Sequence, residues 1–182
     1  PGNGHSWRYE VSNVLDMYKN TLHLKEKVYP NGLTLSPDPD TVIDLRGVTV
    51  YGMANEKDAL SILTLTGFKN VAIIGGRFVS RQDPQEVPWV VGHKTYGAGI
   101  ILKSGSGLVT IANAVIENSL QDGITLAGGL PDNVEFELIE TWIRNASDDG
   151  IQNDGGKKIR GITGCLIESK MGLSFRPGAD SG

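Results

Sequence analysis

Three aspartates stand out by type and spacing. Asp122 lies in the run Gln121-Asp-Gly-Ile124, and Asp148 with Asp149 opens the run Asp-Asp-Gly-Ile151. Asp122 and Asp149 therefore stand before the same Gly-Ile pair, 27 positions apart (122 to 149). If the two segments stack as adjacent strands, equivalent positions lie ~5 Å apart. Three carboxylates then share one patch, and like charges that close raise the pKa of at least one of them. A protonated acid beside an ionised base is the requirement for glycoside hydrolysis, with their separation deciding inversion or retention. The same patch offers a second chemistry. Asp148, Asp149 and Asp154 could hold Ca²⁺, which takes several carboxylate oxygens at ~2.3–2.6 Å; no other metal or cofactor is called for. A third reading is plain structure, because Asp-Gly is a common turn dipeptide and an Asp side chain bonds readily to turn backbone.

Other residues fall around these acids. Downstream of the Gly-aliphatic pairs, Lys103, Ala127, Asp154 and Arg176 form one column on the side of the acids. Arg176 could grip a sugar carboxylate by a two-pronged hydrogen bond, or pair with Asp154 on the neighbouring level. Lys170, just before Met171-Gly172, offers a second cation, and Gln152 a polar contact for substrate. Trp89 and Tyr96, in a proline-bearing stretch over Arg81–Thr95 and its edge, could stack on sugar rings or simply pack. His5, His23 and His93 are dispersed, with no metal-ligand spacing.

What positions such residues is a repeat. Val115-Ile-Glu-Asn118, Trp142-Ile-Arg-Asn145 and Leu166-Ile-Glu-Ser169 align, and each precedes a Gly-aliphatic pair: Gly123-Ile124, Gly150-Ile151 and Gly172-Leu173. An earlier copy is Phe78-Val79-Ser80 with Gly99-Ile100. A third apolar run opens each unit, at Val71–Ile74, Val109–Ile111, Val134–Leu138 and Ile159–Ile162. The Gly-aliphatic pairs are 24, 27 and 22 residues apart (99 to 123, 123 to 150, 150 to 172). Leucine-rich repeats have this length but need their Leu-x-x-Leu-x-Leu signature, and propeller blades need ~40 residues. The pattern predicts an all-β parallel solenoid, a right-handed three-sided β-helix of about six to seven coils at ~25 residues each. Ile116, Ile143 and Ile167 are expected in the core, as are Ile124, Ile151 and Leu173. Asn118, Asn145 and Ser169 are expected to form a side-chain ladder, Glu117, Arg144 and Glu168 an alternating-charge column, and Cys165, level with Ala114 and Thr141, a packed thiol.

The first half is less regular. Val11, Val14, Leu15 and Tyr18 fall at helical spacing, which predicts a short helix capping the open end of the stack. Leu33–Leu35, Val42–Leu45 and Val48–Val50 then read as strands. Residues 1–32 are taken as an N-terminal cap segment and 33–182 as the β-helix domain.

Composition agrees and sets limits. The 182 residues include 24 glycines, well above the usual ~7%, which suits many tight corners. A net charge of −4 without a Lys/Arg run speaks against nucleic acid and anionic membrane as partners. No apolar run approaches the ~18 residues of a membrane-spanning helix. One cysteine, Cys165, allows no internal disulfide. The opening Pro-Gly-Asn-Gly-His carries neither Met nor a signal-peptide pattern, so a removed leader or a trimmed chain is expected. The last unit, Gly172–Pro177, has no evident cap. Its end is expected to be covered by further coils or by a partner, a second copy of the chain included.

Thr41-Val-Ile-Asp-Leu45, Gly67-Phe-Lys-Asn-Val-Ala-Ile-Ile74 and the Asp-Gly-Ile units resemble coils of the pectin-lyase-like right-handed β-helix superfamily, over roughly residues 33–178. Within it, Asn118-Ser-Leu-Gln-Asp122-Gly-Ile and Ala146-Ser-Asp148-Asp149-Gly-Ile resemble the first two catalytic motifs of polygalacturonase-type glycoside hydrolases. The histidine of their third motif is replaced by Lys170-Met171-Gly172, and their Arg-Ile-Lys motif has no counterpart. The resemblance implies a polysaccharide partner and a hydrolase acting on a glycan, with uronate-containing chains included, through Asp122, Asp148 and Asp149. Lyases and C5-epimerases of the superfamily are the alternative enzymes. Glycan-binding modules and phage tailspike or adhesin-like scaffolds are the alternative without catalysis. Such proteins work in the extracellular space, the periplasm or on a virion surface.

Overall fold

The computed structural model describes residues 16–52, 61–86 and 97–176. These residues are all-β, with fourteen strands and, among the described residues, no helix. The expected capping helix rests on Val11, Val14 and Leu15, outside the described residues. Its last member, Tyr18, is described. It lies between a turn and a bend just before Asn20, and packs on a small cluster of Val42, Ala72, Ile74, Ala112 and Ile139.

The strands are β1 (Asn20–His23), β2 (Val28–Tyr29), β3 (Leu33–Leu35), β4 (Thr41–Tyr51), β5 (Leu63–Leu65), β6 (Phe68–Val79), β7 (Ile100–Leu102), β8 (Gly105–Ala112), β9 (Val115–Glu117), β10 (Ile124–Leu126), β11 (Val134–Ile139), β12 (Trp142–Asp154), β13 (Lys158–Thr163) and β14 (Leu166–Arg176). Every strand pairing is parallel. Three rows of pairing recur. One runs β1–β4–β6–β8–β11–β13, a second β2–β4–β6–β9–β12–β14, and a third β3–β5–β7–β10–β12–β14. Strands β1 and β2 carry this pairing back to Asn20, upstream of the first expected strand.

The register explains why apolar residues recur in columns. In the third row Leu33, Leu63, Ile100, Ile124, Ile151 and Leu173 stand opposite one another. In the second, Val50, Phe78, Ile116, Ile143 and Ile167 do the same. Because strand side chains alternate between faces, each column keeps its whole set on one side. Apart from Leu173, which was expected in the core but is exposed on the last level, these columns meet in one core that also holds Phe68, Phe136 and Leu138, all fully enclosed. Aliphatic burial of this kind contributes roughly 25 cal/mol per Å² of apolar surface removed from water.

Glycine has a steric role at the corners beside the site. A Cβ on Gly99, Gly123 or Gly150 would sit 2.6 Å from the backbone oxygen of the glycine one level on, and would also strike Ile116, Ile143 or Ile167. Side-chain amides serve the opposite corner. Asn118 and Asn145 adopt left-handed backbone (φ 60° and 54°), and Asn145 Nδ2 donates to Asn118 Oδ1 at 2.9 Å. The expected ladder ends there. Ser169 falls opposite Ala146 and donates to the Met171 carbonyl, because β14 takes the corner with fewer residues than β12. Nearby, Glu117 joins Arg77 at 2.6 Å and Arg144 at 3.9 Å, and the Arg144 guanidinium lies over the Trp142 ring. Cys165 is level with Ala114 and Thr141 and partly buried against the core, as expected.

Candidate functional site

The acids are brought together by ladder hydrogen bonds between successive levels. Gly99 N donates to the Asp122 carbonyl and Gly123 N to the Asp149 carbonyl, each at 2.9 Å, while Asp148 N donates to the Gln121 carbonyl at 3.0 Å. Asp122 and Asp149 are thus equivalent on adjacent levels, and Asp148 lies level with Gln121. All three are buried, and one carboxylate oxygen from each lies within 4.8 Å of the others.

Their surroundings differ. Asp122 Oδ2 accepts a hydrogen bond from Thr125 Oγ1 at 2.8 Å, and its Oδ1 is 3.4 Å from the Asp149 N–H. Burial dominates nonetheless. It pushes the Asp122 carboxyl up to about 7, helped by the negative charges of Asp149 and Asp148 and opposed by the Thr125 hydroxyl. The Asp149 carboxyl is also raised, first by burial and then by the charge of Asp148. Ser174 and Arg176, on the next level, pull it down, although Ser174 makes no hydrogen bond of standard geometry to it. Neither Asp149 oxygen has a hydrogen-bond partner among the described residues.

A cavity of about 600 Å³ opens beside these corners. Its wall contains Asp122, Gln152, Asp154 and Arg176 from the expected set, together with Ala98, Ile101, Gln121, Thr125, Ala127 and Gly128. Asp148 and Asp149, both buried, are not in that wall among the described residues. Gln152 Nε2 donates to Asp154 Oδ2 at 2.6 Å, leaving Gln152 Oε1 and Asp154 Oδ1 buried without a hydrogen-bond partner among the described residues. Arg176 faces Asp154 across the register at 4.0 Å and stays half exposed. The pairing and the substrate-binding readings of Arg176 thus coexist, because a contact that long leaves the guanidinium donors available.

The cation set therefore changes membership. Asp154 turns toward Gln152, and the clustered carboxylates are Asp122, Asp148 and Asp149. Lys170 precedes Met171, the register partner of Asp149, and is not in the cavity wall among the described residues. Trp89 and Tyr96 lie outside the described residues.

Thr125 and Gln121 were not singled out from the sequence. Thr125 had a readable signal, since it occupies the outward column Thr34, Thr64, Ile101, Thr125, Gln152 and Ser174 between two core columns. Gln121 had the weaker signal of standing level with Asp148. Ala98 had the signal of the acids themselves, since it stands before Gly99-Ile100 at the position of Asp122 and Asp149, and Gly128 directly follows Ala127 of the Lys103–Arg176 column. No protein-family model matches the chain, and no curated protein and no solved structure is similar to it.

Proposed function

We propose that the parallel rows wind as a right-handed, three-sided β-helix of the pectin-lyase-like kind, and that the cavity beside Asp122 is the cleft of a glycoside hydrolase. The repeated three-row parallel pairing supports the first part. The second rests on one observation above the others: Asp122 stands in the cavity wall with its carboxyl pushed up to about 7. A carboxyl held protonated near neutral pH can hand its proton to a glycosidic oxygen as the bond breaks. Asp148, with a carboxylate oxygen within 4.8 Å of those of Asp122 and Asp149, supplies the second carboxyl that the reaction needs. Gln152 and Arg176 hold the sugar. The half-exposed guanidinium suits a uronate carboxylate, which it meets with two parallel hydrogen bonds.

The test is release of reducing ends from a panel of neutral and uronate-containing glycans. Asp122→Asn is expected to lower kcat by ~10²–10⁴ with KM retained, the usual worth of a positioned general acid. Since the acid works protonated, activity should fall as pH rises through about 7. An Asp122→Asn variant that cleaves at the wild-type rate removes the assignment. Binding of a glycan without cleavage makes the protein a binding module, and an ultraviolet-absorbing unsaturated product makes it a lyase.

A further inference from the structure

The Asp149 carboxyl is unsatisfied whichever way it is charged. Ionised, its two oxygens accept from nothing among the described residues; protonated, its hydroxyl has no acceptor there either. The side chain is fully enclosed, so bulk water does not complete it. Buried polar groups nearly always find a partner, and a buried carboxylate is the costliest to leave without one. Something other than a protein hydrogen bond is needed to satisfy it.

The neighbours say what. Asp122 and Asp148 each bring a carboxylate oxygen within 4.8 Å of an Asp149 oxygen and of each other. A single ion at ~2.3–2.6 Å from each oxygen bridges distances of that size. The donor set is all carboxylate, with no imidazole and no thiolate, which selects a hard cation over zinc or copper. Asp122 lies in the cavity wall, which gives an ion a way in. Nearby, Gln152 Oε1 is a further buried acceptor with no hydrogen-bond partner among the described residues.

We propose that Asp122, Asp148 and Asp149 form a divalent-cation site of the Ca²⁺ type, which ties two successive levels of paired strands together beside the cavity. The site does not rest on the hydrolase reading, although it uses the same carboxylates. When filled, the ion occupies oxygens that Asp122 needs free to donate a proton, so an active hydrolase would be inhibited by Ca²⁺.

Binding is measured apart from catalysis. Calorimetric titration of the chelator-treated full chain with CaCl₂ should give one saturable site, and Ca²⁺ should raise the unfolding temperature in step with occupancy. Asp149→Asn and Asp148→Asn should each weaken Ca²⁺ binding at least tenfold, while Asp154→Asn, outside the cluster, should bind within twofold of wild type. Should an Asp149 variant not fold, Tb³⁺ luminescence on the wild-type chain, displaced by Ca²⁺, carries the same decision. No saturable Ca²⁺ uptake up to millimolar concentration, no displaceable Tb³⁺, or an Asp154→Asn loss equal to that of Asp149→Asn overturns the proposal. None of these outcomes depends on whether any glycan is cleaved.

Discussion

The same corner occurs on three successive levels, as Asp122-Gly123, Asp149-Gly150 and Met171-Gly172, and no two copies have the same environment. Asp122 faces the cavity and keeps one hydroxyl partner in Thr125. Asp149, its register equivalent, is fully buried, with neither oxygen hydrogen-bonded among the described residues. Met171 is half exposed, on a level where Leu166, Leu173 and Phe175 are exposed too. The glycines follow the same gradient. Those at 123 and 150 are hemmed in by the next level, whereas a Cβ at Gly172 would meet no described residue within 4 Å. A position in a stacked repeat therefore takes its properties from the levels on either side of it as much as from its own residue. Burial and charge act through neighbours, and neighbours change along a stack even where the repeat does not.

The largest effect should appear in the pH dependence of stability. The folded-state carboxyl of Asp122 is raised from 3.8 to about 7, so between those values the folded chain holds a proton that the unfolded chain has released. Its contribution is fully present below about pH 4 and is lost as pH rises through about 7, by roughly 4 kcal/mol at 1.36 kcal/mol per unit. Asp149, also raised, acts with the same sign. Asp44 and Glu135, held down by Arg46 and Lys158, have the opposite sign, but at more acidic pH. Urea unfolding of wild type and Asp122→Asn between pH 4 and 8.5, without metal, isolates the Asp122 part. A difference between the two that does not change over this window would erase the distinction drawn for the Asp122 corner.

Next in size is a pair of glycine replacements. Gly123→Ala should cost about 3 kcal/mol or more, since the added carbon meets backbone that cannot give. Gly172→Ala should change stability by less than about 0.5 kcal/mol, because no described residue lies in its way. Equal melting temperatures for the two variants would deny that the corners differ by level. At the opposite corner, Asn145→Ala should cost about 1 kcal/mol through its left-handed backbone and lost bond to Asn118, and Asn145→Gly should recover the backbone part. The smallest effect belongs to Thr125→Val. Removing a donor to the ionised form raises the Asp122 carboxyl further, so the alkaline limb of any activity profile should move upward by less than about one pH unit. A downward move would contradict the role given to Thr125.

Much of the fold was legible because parallel stacking writes itself into sequence as columns. Ile116, Ile143 and Ile167 were read as one column and pair as one, and so did Ile124, Ile151 and Leu173. The columns break where level lengths differ. Ile143 to Asp149 spans six steps and Ile167 to Met171 four, so Ser169 slides out of the asparagine ladder. Two more elements escaped for a similar reason. Strands β1 and β2 carry short, mixed sequences, Asn20–His23 and Val28–Tyr29, whose strand character comes from pairing with β4 rather than from their own pattern.

The candidate site divides along the same line. Sequence alone determined that Asp122 and Asp149 share a column, that Asp148 stands next to them, and that Arg176 falls opposite Asp154. These follow from a repeat length and a strand's two-residue period, both local properties of the chain. Tertiary structure decided which acid faces the cavity, which has no hydrogen bond among the described residues, and that Asp154 turns to Gln152 rather than joining the cluster. Solvent access and electrostatic coupling are set within a few ångströms in space, among groups that are tens of residues apart along the chain.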